Sequence, residues 1–150
     1  FVESVDVSKS ALQVLEKNLA HNHFPGDRHE TIRGDALKYL NELEASSYDI
    51  VVLDPRAFAK SRKKRHNAVQ AYKRLNAAGM RVLRPGGLMM TYSCSQVVHE
   101  KLFSNTVVAA GLEAGGSCRI LKKLQQGADH PVDLFHPEGR YLKGLLLKKL

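Results

Sequence analysis

Gly86-Gly87-Leu88-Met89-Met90-Thr91-Tyr92-Ser93-Cys94-Ser95 decides the fold of this chain. The glycine pair opens an apolar run that reads as a buried strand, and the run ends on a cysteine between two serines. Upstream, Tyr48-Asp49-Ile50-Val51-Val52-Leu53 is a second run of the same kind, ending in Asp54-Pro55. Two strands of one parallel sheet would carry a carboxylate and a thiol to the same edge. The carboxyl ends of parallel strands are where open α/β sheets place their ligands.

Outward from this pair, strand and helix alternate. Val2–Val7 reads as a short strand, with Ser8 at a helix N-cap and Ala11, Leu12, Leu15 and Leu19 at helical spacing. The run from His21 to Gly26 breaks that helix. Thr31–Arg33 reads as a strand closed by Gly34-Asp35, and a helix follows over Ala36–Leu43. Beyond Asp54, Ala57–His66 is a polar, basic loop and Ala68–Leu83 is helical, stopped by Arg84-Pro85-Gly86-Gly87. His99–Ala110 is a further helix, and Arg119–Leu124 and Tyr141–Leu150 are two closing strands. Alternation predicts an α/β fold with a parallel sheet and helices on both faces. Two closing strands without a helix between them predict one antiparallel pair.

The chain has 150 residues, which suits one domain with a real core. No stretch approaches the roughly 20 apolar residues of a membrane span, and no signal peptide is visible. The net charge of +8 suits a polyanionic partner such as nucleic acid. Two cysteines, Cys94 and Cys118, are too few for a disulfide framework, and neither has metal-ligand spacing. The expectation is a reduced cytoplasmic protein with no metal. A chain that starts at Phe1 and enters a strand almost at once is expected to lack an upstream part.

Several residues carry candidate chemistry beside an ordinary structural reading. Asp6 and Asp35 follow neighbouring strands, where acids bind the hydroxyls and amino group of a nucleoside; either is also a plain strand-end carboxylate or turn residue. No P-loop or GxGxxG accompanies them. Pro55 biases Asp54 away from helical geometry, and Phe58 suits stacking on a base lifted from an RNA strand, or simply the core. Lys60-Ser61-Arg62-Lys63-Lys64-Arg65-His66 reads as a phosphate-contacting loop or as a solvated one. His130, in Asp129-His130-Pro131, is a candidate base or substrate contact, or a surface histidine. Cys94 is the strongest single residue, because its two hydroxyl neighbours are unusual for a purely packed strand. Cys118 reads as structural.

These segments resemble the class I S-adenosylmethionine-dependent methyltransferases. The likeness is closer to the bacterial family that makes 5-methylcytosine in large-subunit ribosomal RNA. It runs through Val5-Asp6-Val7-Ser8, Gly34-Asp35, Val52-Leu53-Asp54-Pro55, Leu83–Gly87, Thr91–Ser95, Ala128-Asp129-His130-Pro131 and Pro137–Gly144. The resemblance implies a Rossmann-like sheet without its first strand and glycine-rich cofactor loop. It implies S-adenosylmethionine as cofactor, held by Asp6, Ser8, Asp35, Ala36 and Asp54, with Asp6 on the ribose and Asp35 on the adenine. It implies Cys94 as nucleophile toward cytosine, Asp54 on the ring, and RNA contacts from Pro55, Phe58, Lys60, Arg62, Lys63 and His130.

Ribosomal RNA is the implied partner, and an N-terminal RNA-binding domain would belong to the longer parent. A central strand missing from the sheet would leave two edges open, so a homodimer, a rearranged sheet or a longer natural chain is expected; a monomer in light scattering would contradict the first. The sequence departs from the family at Arg56, where a second proline is usual, and has no second cysteine near Asp54. The group that removes the C5 proton is thus not identified. An amino-group methyltransferase acting on adenine N6 or guanine N2 has a similar aspartate loop but needs no Cys94. An inactive fragment or RNA-binding remnant would use only the basic surface.

Overall fold

The computed structural model describes residues 1–59 and 61–150, so Lys60 lies outside the described residues. The chain divides into two units, Phe1–Leu43 and Glu44–Leu150.

In the first unit β1 (Val2–Asp6) pairs in parallel with β2 (His29–Arg33), with Asp6 opposite Arg33. Helix α1 (Lys9–His21) is capped by Ser8, whose hydroxyl accepts from the Ala11 amide at 3.3 Å. Of its leucine stripe, Leu12 is buried. Helix α2 (Ala36–Glu42) is capped by Asp35, which accepts from the Lys38 amide at 2.9 Å. Both helices therefore start on the polar residues that the sequence places after each strand.

The second unit holds β3 (Tyr48–Leu53), α3 (Arg65–Val82), β4 (Leu83–Ser93), α4 (Glu100–Glu113), β5 (Cys118–Gln125) and β6 (Lys143–Lys149). Its sheet runs β3-β4-β6-β5; β3 and β4 are parallel, and β6 is antiparallel to both β4 and β5. The expected antiparallel closing pair is present, with its last strand inserted between β4 and β5. Tyr72, Val82, Leu83, Met89, Phe103, Leu145 and Leu147 form the buried centre.

Several boundaries differ from the sequence reading, and three of them concern β4, α3 and β6. Leu83 already belongs to β4, because it pairs with Tyr48 before the chain loops out and rejoins β3 at Ile50 opposite Leu88. Arg84 forms an ion pair with Asp49 across this bulge. So Arg84–Gly87 is a bulge inside a strand rather than a turn before one. Helix α3 takes in Arg65 and His66, which the sequence reading left in the loop. Strand β6 begins at Lys143 instead of Tyr141, because the amides of Tyr141 and Leu142 donate to the Gln126 side chain at 3.2 and 3.3 Å.

Gly87 makes the bulge possible by close approach. A Cβ there would meet the backbone oxygens of Arg84 and Asp49 at 2.9 Å and Leu83 Cδ1 at 2.8 Å. Backbone cannot step aside as a side chain can, so Gly87→Ala is expected to destabilise the chain by about 1–3 kcal/mol. An unchanged midpoint in urea denaturation would contradict this.

Candidate active site at the β3–β4 edge

Leu53 pairs with Thr91, so Asp54 leaves β3 one residue past the pair and Cys94 leaves β4 three past it. The two loops meet: Cys94 Sγ lies 4.0 Å from the Pro55 carbonyl oxygen. Cys94 is partly buried and Asp54 is exposed. The flanking serines are both buried and hold this arrangement. Ser95 Oγ donates to the Ala59 carbonyl at 2.8 Å, and Ser93 Oγ accepts from the Ser95 amide at 3.3 Å. The Ser-Cys-Ser pattern thus fastens the aspartate loop onto the cysteine strand.

Phe58 is 41% exposed, and its ring meets Tyr72 edge-on at 4.7 Å. Tyr72 in turn meets Phe103 edge-on at 5.6 Å. Three rings therefore run from the α3–α4 contact to the surface of the loop. Tyr72 Oη is sealed from solvent and stands close to Ser93 and the Phe58 backbone without a well-formed hydrogen bond to either. Burial pushes its hydroxyl above the ordinary 10.0; Cys94 and Asp54 push the same way, and Ser93 and the Phe58 backbone oppose.

A raised value means that the native state keeps a proton which the unfolded chain loses. Stability from this group is full below pH 10.0 and falls as pH rises through the native value. Tyr72→Phe is expected to flatten that alkaline fall while changing stability near neutral pH by no more than about 1 kcal/mol, since a poorly bonded buried hydroxyl contributes little. Denaturant melts on both sides of pH 10.0 test it; an equally steep fall in the variant would contradict the assignment.

Lys143 adds a cation to the same edge. It stands opposite Ser93 in the β4–β6 register, and its Nζ donates to the Ser95 carbonyl at 2.7 Å. Burial pulls its ammonium below the ordinary 10.5, and Cys94 acts in the opposite direction. Gly144 lets β6 come this close, because a Cβ there would meet Tyr92 Cδ1 at 2.5 Å. The sequence reading assigned no role to Tyr72 or Lys143. For Lys143 a signal exists: it lies in the Pro137–Gly144 segment and opens an apolar strand.

The remaining candidates fall elsewhere. Arg62 and Lys63 are exposed in a short 3-10 turn, and Arg56 is exposed beside Pro55. His130 pairs with Asp129 at 3.1 Å and lines a separate cavity of about 610 Å³ with Gln126, Pro131 and Leu134. In the first unit, Asp6 accepts from the Ser8 amide at 2.6 Å and Asp35 caps α2 ahead of Ala36. Cys118 is a free thiol pushed up by burial, with Lys149 opposing. Among the described residues no group of three or more His, Cys, Asp or Glu is placed to hold a metal, and no helix is long and apolar enough to cross a membrane.

A family model described as Conserved hypothetical protein 95 matches residues 1–110. The chain belongs to that family. Over 149 residues it is 38% identical to the Ribosomal RNA large subunit methyltransferase I of Pseudoalteromonas translucida, covering 98% of this chain and 38% of that protein. The protein of the same name from Aeromonas hydrophila is also 38% identical, with the same coverage. The chain thus spans less than two-fifths of the length of these relatives. Among solved structures, SMU.776 complexed with SAH has a TM-score of 0.78 at 21% identity, over 97% of this chain and 38% of that one. NSun6 from Pyrococcus horikoshii with SFG has a TM-score of 0.66 at 15% identity, over 98% of this chain and 41% of that one. The Rossmann-like methyltransferase fold expected from the sequence is the fold shared with these structures.

Proposed function

We propose that residues 1–150 are part of an S-adenosylmethionine-dependent methyltransferase domain of the cytoplasm that methylates C5 of a cytosine in ribosomal RNA through a covalent Cys94 adduct. The observation that carries this reading is the meeting of Cys94 with the Asp54-Pro55 loop, with Sγ at 4.0 Å from the Pro55 oxygen. The relatives named as ribosomal RNA methyltransferases support the substrate class.

The residues fit the cofactor. Asp6 and Asp35 stand at the ends of paired strands, and each commits Oδ1 to a backbone amide. Each keeps a second carboxylate oxygen for a donor, which suits ribose hydroxyls at Asp6 beside Ser8 and an adenine amino group at Asp35 beside Ala36. When bound, S-adenosylmethionine supplies an electrophilic methyl group.

Cytosine C5 is a weak nucleophile. Attack of the Cys94 thiolate on C6 makes C5 enamine-like, so that one hard step becomes two easier ones. The Asp54 carboxyl donates a hydrogen bond or its proton to ring N3 as negative charge builds there. Phe58, exposed and braced by Tyr72, stacks on the base once it leaves its helix. Pro55 stiffens the loop, and Lys60, Arg62, Lys63 and His130 contact the RNA. Loss of the C5 proton and departure of Cys94 restore the aromatic ring.

Incubation of the chain with methyl-labelled S-adenosylmethionine and ribosomal RNA, followed by digestion to nucleosides, tests the reading. Label in 5-methylcytidine is expected. Label in N6-methyladenosine or N2-methylguanosine would assign amino-group chemistry instead, and no label would leave an RNA-binding remnant.

A further inference from the structure

The proposed reaction needs a group that takes the C5 proton, and its position is constrained by the shape of the ring. A thiolate and a methyl sulfonium cannot occupy the same face of a flat pyrimidine. The methyl group therefore arrives opposite Sγ, and the C5–H bond turns toward the sulfur side. The acceptor must stand beside Cys94.

Among the described residues four groups come into question. The Pro55 carbonyl is a weak base, Asp54 faces the N3 edge in the reading above, and the sealed Tyr72 hydroxyl holds its own proton more tightly than usual. The fourth is Lys143, whose Nζ is fixed on the Ser95 carbonyl at 2.7 Å, one residue from the nucleophile. It also lines a cavity of about 520 Å³ with Gln96, His99, Glu138, Arg140 and Tyr141, a route by which a proton reaches water. We propose that Lys143 is the base that accepts the C5 proton, an inference that rests on the cytosine reading.

Burial favours the neutral amine of Lys143, and the charge of Cys94 favours its ammonium. Once Sγ is bonded to C6, that charge is gone and burial alone remains. The ammonium then gives its proton to water through the cavity, which leaves the amine free to act. The C5–H bond then breaks and its electron pair forms the C5–C6 double bond. The C6–Sγ bond breaks with its pair on Cys94, and the proton ends on Lys143 Nζ. Ammonium and thiolate are thereby restored, and the one proton released overall is the one that left when the amine formed.

The test uses RNA tritiated at cytosine C5, with S-adenosylmethionine, and reads both tritium release and a denaturation-resistant protein–RNA complex. The wild-type chain is expected to release tritium without accumulating the complex. Lys143→Met is expected to accumulate the complex and to release tritium about 100-fold more slowly or worse, the scale of a lost general base. Lys143→Gln serves if that variant does not fold. Lys143→Arg keeps the charge and the bond to Ser95 but holds its proton, so it is expected not to rescue. Release at the wild-type rate in Lys143→Met or Lys143→Gln, or rescue by Lys143→Arg, would overturn the role while leaving the Cys94 adduct standing. Neither tritium release nor complex from the wild-type chain would instead overturn the cytosine reading, and this role with it.

Discussion

Cys94→Ala is expected to abolish methyl transfer to RNA while the chain keeps its fold and its affinity for S-adenosylmethionine. The expectation follows from what the side chain touches. Sγ is partly buried, and among the described residues its polar contact is the Pro55 oxygen at 4.0 Å, too long to contribute much to stability. The fastening of the aspartate loop runs through Ser95 and Ala59, which the substitution leaves in place. Asp6 and Asp35, proposed for the cofactor, lie outside β4 and the loop that follows it. What is lost is the proposed nucleophile alone, and no neighbouring thiol can replace it. Methylation assays beside circular dichroism and cofactor titration separate these effects. Methylation at an undiminished rate would remove Cys94 from the chemistry.

Phe103→Ala has the largest expected cost in stability. The ring is 1% exposed at the contact of α3 with α4. Truncating a buried phenylalanine costs about 3–5 kcal/mol through lost burial and the cavity left behind. The edge contact with Tyr72 adds a second effect, because Tyr72 braces Phe58 on its other side. The variant is therefore expected to weaken RNA binding even under conditions where it remains folded. Phe103→Leu restores most of the volume but not the ring edge, so it should recover most of the stability and less of the binding. Urea denaturation and fluorescence anisotropy with a labelled RNA measure the two. A loss below about 1 kcal/mol in Phe103→Ala would contradict the packing described here.

The sequence made the edge legible because it rests on local signals. Apolar runs ending in Asp54-Pro55 and Ser93-Cys94-Ser95 define two strands, and parallel pairing brings their ends together without further information. Ser8 as a cap is readable for the same reason: helix starts are written in adjacent residues. What escaped depends on distant partners. The β4 bulge arises because Gly87 presses on the Asp49 carbonyl and Arg84 reaches Asp49, a pairing across strands. The late start of β6 comes from Gln126, fifteen residues before Tyr141, capturing two amides. Lys143 reaches Ser95 across forty-eight residues. No periodicity or spacing marks such contacts. Tyr72 looks like any apolar-face residue of a helix until its hydroxyl is seen at the active edge.

The most direct test of the central claim is a denaturing gel of the chain incubated with S-adenosylmethionine and ribosomal RNA carrying 5-fluorocytidine, followed by mass mapping of any complex. Fluorine at C5 cannot leave as a proton, so an enzyme that adds a cysteine to C6 stays bonded to its substrate. The account predicts a complex that survives denaturation, with the nucleotide on the peptide containing Cys94. No complex, or one mapped to Cys118, would contradict it.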